Sequence, residues 1–365
     1  MKNKGKIITL VFVLIIIILS IIVFINTNNK SDNKKEETKV EEKENNKQDE
    51  KETEEKEEPE VTPQPEAPIV EKNNYVSYNG FLKLNGTSLV NEKGEPIILK
   101  GMSSHGIQWF GDLVTKENLT ILKNEWHTNV FRIAMYTNEN GYISNPNIKN
   151  KVYSIIDELI SMDMYVIVDW HILSDGNPLQ YKEQAKSFFN EVTSKYSNVP
   201  NIIYEICNEP NNTSMDNVYN YANEVIPIIQ KNSPKSIIIV GTTTWSQDVD
   251  QVNKLNYDNV LYALHFYSGT HKDFLRQKAT TALNKGTPIF VTEFGVSDAS
   301  GNGGIFLDEA NKWISYLKEK QISIVAWSLS NKNESSAVLK TGTTVLKDEN
   351  LSEAGKYLKN IFITY

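Results

Sequence analysis

Eight short runs rich in isoleucine and valine recur along the chain, with longer segments between them, and this repeat restricts the possible folds more than any other feature. The first four are PIILKGM (Pro96–Met102), NVFRIAM (Asn129–Met135), MYVIVDW (Met164–Trp170) and NIIYEIC (Asn201–Cys207). The last four are SIIIVGT (Ser236–Thr242), NVLYALHF (Asn259–Phe266), PIFVTEF (Pro288–Phe294) and ISIVAWS (Ile322–Ser328). Near-continuous apolar runs are the pattern of strands covered on both faces. Segments between them, such as Asn147–Met162 and Gly303–Lys320, carry apolar residues at spacings of three and four and predict amphipathic helices. Parallel strands joined by helices cross over with one hand, and eight such units favour a closed α/β barrel, the (β/α)8 (TIM) barrel, over an open sheet. Phe81–Ile97, FLKLNGTSLVNEKGEPI, reads as a hairpin placed to close the barrel floor.

The first 74 residues are of another kind. Ile7–Ile25 is free of charge, follows Lys2, Lys4 and Lys6, and is long enough to cross a bilayer as one helix. The residues after it, NTNNKSDN, do not read as a small-x-small cleavage site, so an uncleaved anchor with its basic end in the cytoplasm and the rest of the chain outside is expected, with a cleaved signal and a secreted chain as the alternative. Between Lys30 and Lys72, 9 lysines stand against 16 acidic residues with few apolar ones, a composition that cannot bury enough surface to fold. The expected organisation is therefore an anchor over residues 1–29, a disordered acidic linker over 30–74 and a barrel over 75–365. Of the net charge of −8, the barrel carries only about −4, which argues against nucleic acid as a partner. A single cysteine, Cys207, excludes an internal disulfide.

Polar and aromatic residues gather where the predicted strands end. His105, Arg132, His171, Asn208, Glu209, Trp245, His265, Tyr267, Glu293 and Trp327 lie in or just after successive strands, and in a barrel these ends converge on one rim, where active sites form. Glu209 follows the fourth strand and Glu293 ends the seventh, and these strand ends can face each other across the mouth. Paired carboxylates suit glycoside hydrolysis, in which one donates a proton to the leaving oxygen and the other attacks or activates water. Arg132 and Tyr267 are placed to hold one of them ionised. The pair alone does not encode which sugar is cut.

The stretches GMSSHGIQWFGD, VFRIAMYT, VIVDWHILSDGNP, IIYEICNEPN, IIIVGTTTWSQDV, YALHFYSGTH, PIFVTEFGVSDASGNGG and SLSNKNESSA together resemble bacterial endo-β-1,4-glucanases of glycoside hydrolase family 5, subfamily 2. The resemblance runs from about Tyr75 to the C-terminus. It implies Glu209 as general acid/base, Glu293 as nucleophile, and Asn208 on the sugar 2-hydroxyl. It also implies Arg132, His171, His265 and Tyr267 as the network around the glutamates. His105, Trp109, Tyr136, Trp327, Lys332 and Glu334 match positions that hold glucose units on the non-reducing side of the cleavage point. Retaining hydrolysis of β-glucan chains by a monomeric, cofactor-free barrel is the implied activity, with mixed-linkage glucan or mannan as alternative substrates and an inert carbohydrate-binding scaffold as the alternative of another class. No length remains for a separate carbohydrate-binding module, so amorphous chains are the expected target. Phe294, Cys207 and Ala326 depart from the family pattern, which usually has Trp, a small residue and often Asn there.

Three further expectations follow from the residues. The five histidines, at 105, 127, 171, 265 and 271, show no metal-ligand spacing. Trp126 and Trp313 sit in amphipathic segments and belong to the core. Strand alternation puts Glu205, Cys207 and Glu209 on one face, which sends Glu205 into the barrel, where it needs a cation. Lys100 is the expected partner, with Arg132 the other available cation.

Overall fold

Each of the eight apolar runs supplies a strand of one parallel, closed sheet. The computed structural model describes residues 75–365, so the expected anchor and acidic linker lie outside the described residues. Among the described residues no helix is long and apolar enough to cross a membrane. A small antiparallel pair, β1 (Lys83–Asn85) and β2 (Ser88–Val90), comes first. The barrel follows: β3 (Lys100–Ser104), β4 (Val130–Tyr136), β5 (Tyr165–His171), β6 (Ile202–Glu205), β7 (Ile238–Val240), β8 (Val260–Tyr267), β9 (Ile289–Gly295) and β10 (Ile324–Leu329). Its strands neighbour one another in chain order, and β10 closes onto β3.

Seven of the strands are followed by long helices: α1 (Lys116–Asn124), α2 (Lys149–Ser161), α3 (Lys182–Lys195), α4 (Met215–Asn232), α5 (Asp273–Asn284), α6 (Leu307–Glu319) and α7 (Glu353–Thr364). Only short turns, Thr243–Ser246 and Val249–Gln251, follow β7. Caps fix some helix starts. Thr115, Ser214 and Ser352 each accept a hydrogen bond from a backbone N–H of the first turn.

Strand alternation sorts the core into two layers. On β5, Val166, Val168 and Trp170 pack outward among helix residues such as Leu159 and Phe188. Tyr165 and Ile167 point into the barrel with Val130, Ile203, Ile239, Leu261 and Phe290. The inward column of β5 then continues upward as Asp169 and His171, so the lower barrel is apolar and the upper barrel polar. Trp126 and Trp313 are fully buried, as expected. The hairpin closes the floor: Leu82 and Leu89 pack against the lower interior cluster together with Leu99. The front of the first apolar run belongs to this plug, since Pro96 bridges Val90 and Ile97 N–H donates to the Leu89 carbonyl.

Two local departures from regular strand geometry place the site. Between Ala263↔Phe290 and His265↔Glu293 the β8–β9 register gains one residue on β9, a bulge that lets Thr292 and Glu293 both reach the interior side. On β6 the strand stops at Glu205, and Cys207 joins the outer core with Ile206. Alternation therefore does not carry Glu205, Cys207 and Glu209 on one face. Glu209 is delivered by the irregular Ile206–Pro210 segment, where Asn208 N–H donates to the Trp170 carbonyl.

The cation opposite Glu205 is Arg132, not Lys100. Lys100 begins β3 at the floor, level with Ile324, and its ammonium donates to the Phe362 carbonyl in α7. Glu205 ends β6 level with Asp169, and Arg132 Nε donates to its Oε2 at 2.7 Å. The expectation failed because it used the strand without the height along it.

Candidate active site

Across the barrel mouth runs a cleft of about 780 Å³, and Glu209 and Glu293 lie in it. One oxygen of each glutamate and one nitrogen of His265 lie within 4.8 Å of one another. That closeness is compatible with the carboxyl separation of about 5–5.5 Å used by retaining glycosidases.

Glu293 is held by donors that do not titrate near neutrality. Tyr267 Oη donates to its Oε1 at 2.6 Å, and Arg132 Nη1 lies 3.3 Å from Oε2. Burial, with the charges of Glu293 and Glu209 adding to it, pushes the Tyr267 phenol well above its usual range, so it remains a donor. Arg132 is fully buried on β4. Burial opposes its charge, but Asp169, Glu205 and Glu293 outweigh that and keep the guanidinium charged. Its Nη2 reaches Asn208 Oδ1 at 2.7 Å and Asp169 Oδ2 at 3.0 Å.

A different kind of partner meets Glu209. His265 Nδ1 lies 2.9 Å from its Oε1, and His265 Nε2 lies 2.9 Å from Thr292 Oγ1. Burial alone would lower His265, yet the nearby Glu205 carboxylate, 3.8 Å from Nε2, the hydrogen bond to Glu209 and the charge of Glu293 push it up to about 9. His171 is neutral instead: burial and the charge of Arg132 bring it down to about 3. Its Nδ1 meets Asp169 at 2.6 Å, and its Nε2 accepts from Asn208 Nδ2 at 3.3 Å.

Eleven of the thirteen residues expected from sequence line the cleft; Arg132 and Asn208 lie buried beneath it. One half is built by His105, Trp109, Tyr136, Trp327, Lys332 and Glu334. His105 is kept neutral, brought to about 3 by burial and by Lys332, and its Nδ1 accepts from the Gly106 N–H. Its Nε2 faces Glu334, which pairs with Lys332 at 2.6 Å. The Asn208 amide bonds Arg132, His171 and the Ile172 carbonyl.

The other half of the cleft was missed or left without a role. Trp245, Phe274 and Gln247 line it, and the two aromatic rings are 44% and 51% exposed, too open to be core. Trp245 was visible as a strand-end aromatic; Phe274 opens α5 and carried no signal. Trp245 sits in a turn in which Thr244, Trp245 and Ser246 all have φ between 53° and 57°. Thr243 and Thr244 donate to Asp248 Oδ2, Lys278 reaches Asp248 Oδ1, and the Ser246 hydroxyl donates to the Asn208 carbonyl. Also missed were Asp169, Ser103 and Thr292, which support Arg132 and His265 from below.

Of the departures from the family pattern, Phe294 stacks on Phe266 in the outer core, while Cys207 and Ala326 are fully buried. Burial pushes the Cys207 thiol far up, so it is no nucleophile. Among the described residues, Glu209, His265 and Glu293 form the one grouping of donor atoms close enough for a metal ion. Their hydrogen-bonding roles are already filled within the site.

A parallel barrel with two facing, buried glutamates at the carboxyl ends of its strands is the arrangement found in glycoside hydrolases that use a pair of carboxylates. The chain belongs to the cellulase family, glycosyl hydrolase family 5, whose sequence pattern matches residues 90–333. It is 50% identical over 291 residues to an endoglucanase of Clostridium saccharobutylicum, covering 78% of this chain and 65% of that protein. The chain thus spans just under two thirds of this relative's length. The cellulase Cel5C_n superposes with a TM-score of 0.77 at 42% identity, covering 81% of this chain and 94% of that one. The catalytic domain of Thermobifida fusca endoglucanase Cel5A, as a glutamate-to-glutamine variant in complex with cellotetraose, gives 0.76 at 35% identity, with 79% and 99% covered.

Proposed function

We propose that this chain is an endo-acting, retaining glycoside hydrolase that cleaves internal β-1,4-glucosidic bonds of cellulose-like glucans. The observation that carries the reading is the unequal holding of two glutamates whose oxygens lie within 4.8 Å. Relatives named endoglucanases and a neighbour solved with cellotetraose support the substrate class.

Glu293, fixed by Arg132 and Tyr267, attacks the anomeric carbon. The glycosidic C–O bond breaks, its electron pair stays on the leaving oxygen, and Glu209 supplies the proton. Water then attacks the glycosyl ester while the Glu209 carboxylate takes its proton, and the ester's electron pair returns to Glu293. Exposed Trp109, Trp245 and Phe274 offer flat apolar faces for sugar rings on both sides of the glutamates, which suits a substrate that continues in both directions. Hydrolysis of a panel of carboxymethylcellulose, mixed-linkage glucan and mannan tests the substrate. NMR of the first-formed anomer tests the mechanism, with inversion the result that overturns it.

The apolar Ile7–Ile25 segment and acidic linker support a monomeric barrel tethered to the outer face of the cell membrane. Protease treatment of intact cells releasing the activity, with a monomeric elution volume for the released domain, is the expected result.

A further inference from the structure

The hydrogen bonds around Glu205 fix the direction of every proton between it and Glu209. Glu205 is fully buried. Its Oε2 accepts from Arg132 Nε at 2.7 Å and its Oε1 from Thr292 Oγ1 at 2.7 Å. Burial alone would raise its pKa, but Arg132 and His265 outweigh that and hold it at about 2, so it is a carboxylate that only accepts. Thr292 has a single hydroxyl hydrogen, and that hydrogen goes to Glu205. In the 2.9 Å contact between Thr292 Oγ1 and His265 Nε2, the hydrogen must therefore sit on Nε2.

This leaves Nδ1, 2.9 Å from Glu209 Oε1, as the ring nitrogen whose proton is variable. Nδ1 and Oε1 share one proton. With the proton on the ring, Glu209 is a carboxylate; with the proton on Glu209, the ring is neutral and Glu209 is an acid. We propose that Glu205 and Thr292 are positioning residues that set the tautomer of His265, and through it supply Glu209 with the proton it gives to the leaving oxygen. This deepens the glycosidase reading above and rests on it. When the glycosidic bond breaks, the leaving oxygen keeps the electron pair and takes that proton. In the second half-reaction, water returns a proton to the Glu209–His265 pair.

The alternative is that Glu205 only neutralises Arg132. Other titratable groups face His265: Glu209 from the segment after β6, Glu293 on β9, Asp169 and His171 on β5, and His271 after β8. Glu205 Oε1 also lies 3.8 Å from His265 Nε2, a charge contact that T292V leaves in place, and none of the other groups shares the Thr292 hydroxyl, so removing that hydroxyl isolates the proposed role.

In E205Q the new amide oxygen still accepts from Arg132, which turns its NH2 toward Thr292. The Thr292 hydroxyl then accepts from the amide and donates to His265 Nε2, which forces the ring hydrogen onto Nδ1. A fixed donor then faces Glu209, and the acid loses its proton. The test measures kcat/KM on cellotetraose, whose leaving sugar needs protonation, and on 2,4-dinitrophenyl β-cellobioside, whose leaving group does not. The expected loss for E205Q is about 10²–10⁴-fold on cellotetraose and less than about tenfold on the dinitrophenyl substrate. T292V cuts the relay but leaves the Glu205–Arg132 bond, and it should show the same selectivity, with T292S restoring the rate. If T292V loses nothing, or loses equally on both substrates, the proposal is overturned whether or not E205Q folds. A wild-type enzyme inactive on both substrates would instead defeat the glucanase reading itself.

Discussion

The two glutamates of the cleft are chemically identical and are held in opposite ways. Glu293 rests against a guanidinium and a phenol, both permanent donors at neutral pH. Glu209 rests against an imidazole whose shared proton can move. A carboxylate among fixed donors is stabilised as an anion, which is what a nucleophile requires. One that shares a proton with a base can pass it on, which is what an acid/base requires. The contrast in partners, rather than the residue type, divides the labour.

Glu293→Gln is expected to have the largest effect, at least about 10⁴-fold in kcat on every substrate, since no leaving group replaces the nucleophile. Glu209→Gln should separate the two sides: about 10²–10⁴-fold on cellotetraose but little in kcat/KM on a dinitrophenyl cellobioside. Loss on both alike would break the comparison.

A third prediction uses pH. His265 is raised from 6.5 to about 9, so its contribution to stability is fully present below pH 6.5 and is lost as pH rises through 9. The loss should be on the order of 3 kcal/mol. Denaturant midpoints should therefore fall between pH 6.5 and 9.5 in the wild type, and much less in His265→Gln. Tyr267→Phe removes one hydrogen bond to a charged group, about 1.5–3 kcal/mol or roughly 10–100-fold in kcat. No change in the pH profile should accompany it, because a phenol held far above neutrality does not titrate there. The smallest effect is expected for Trp109→Ala, roughly three- to tenfold in KM with kcat nearly kept, as for uniform binding.

Much of this was legible before any coordinates. Ile and Val runs locate strands because burial on both faces demands them, and Glu209 and Glu293 stand out because strand ends in a barrel must converge. Thr292 was not legible, since a bulge depends on pairing with β8 and leaves no mark in VTEFG. The partner of Glu205 was misjudged because the relative height of two strands depends on barrel shear, which local pattern does not encode. Asp169 was hidden inside an apolar run, although its two-residue spacing from His171 carried the information. Phe274 and the turn at Trp245 belong to loops, whose conformation depends on distant partners such as Lys278.

That turn has a mechanical consequence. Three successive residues with side chains occupy the left-handed region, where each carries a cost of about 1–2 kcal/mol. The arrangement persists because threonine hydroxyls, Asp248 and Lys278 clamp it from one side and the Ser246 hydroxyl ties it to Asn208 from the other. Trp245 and the segment carrying Glu209 are thus one piece: the wall that a sugar ring meets cannot relax without pulling on the neighbour of the acid. Evolution or engineering could tune proton transfer and grip on the substrate together through a single remote lysine on α5.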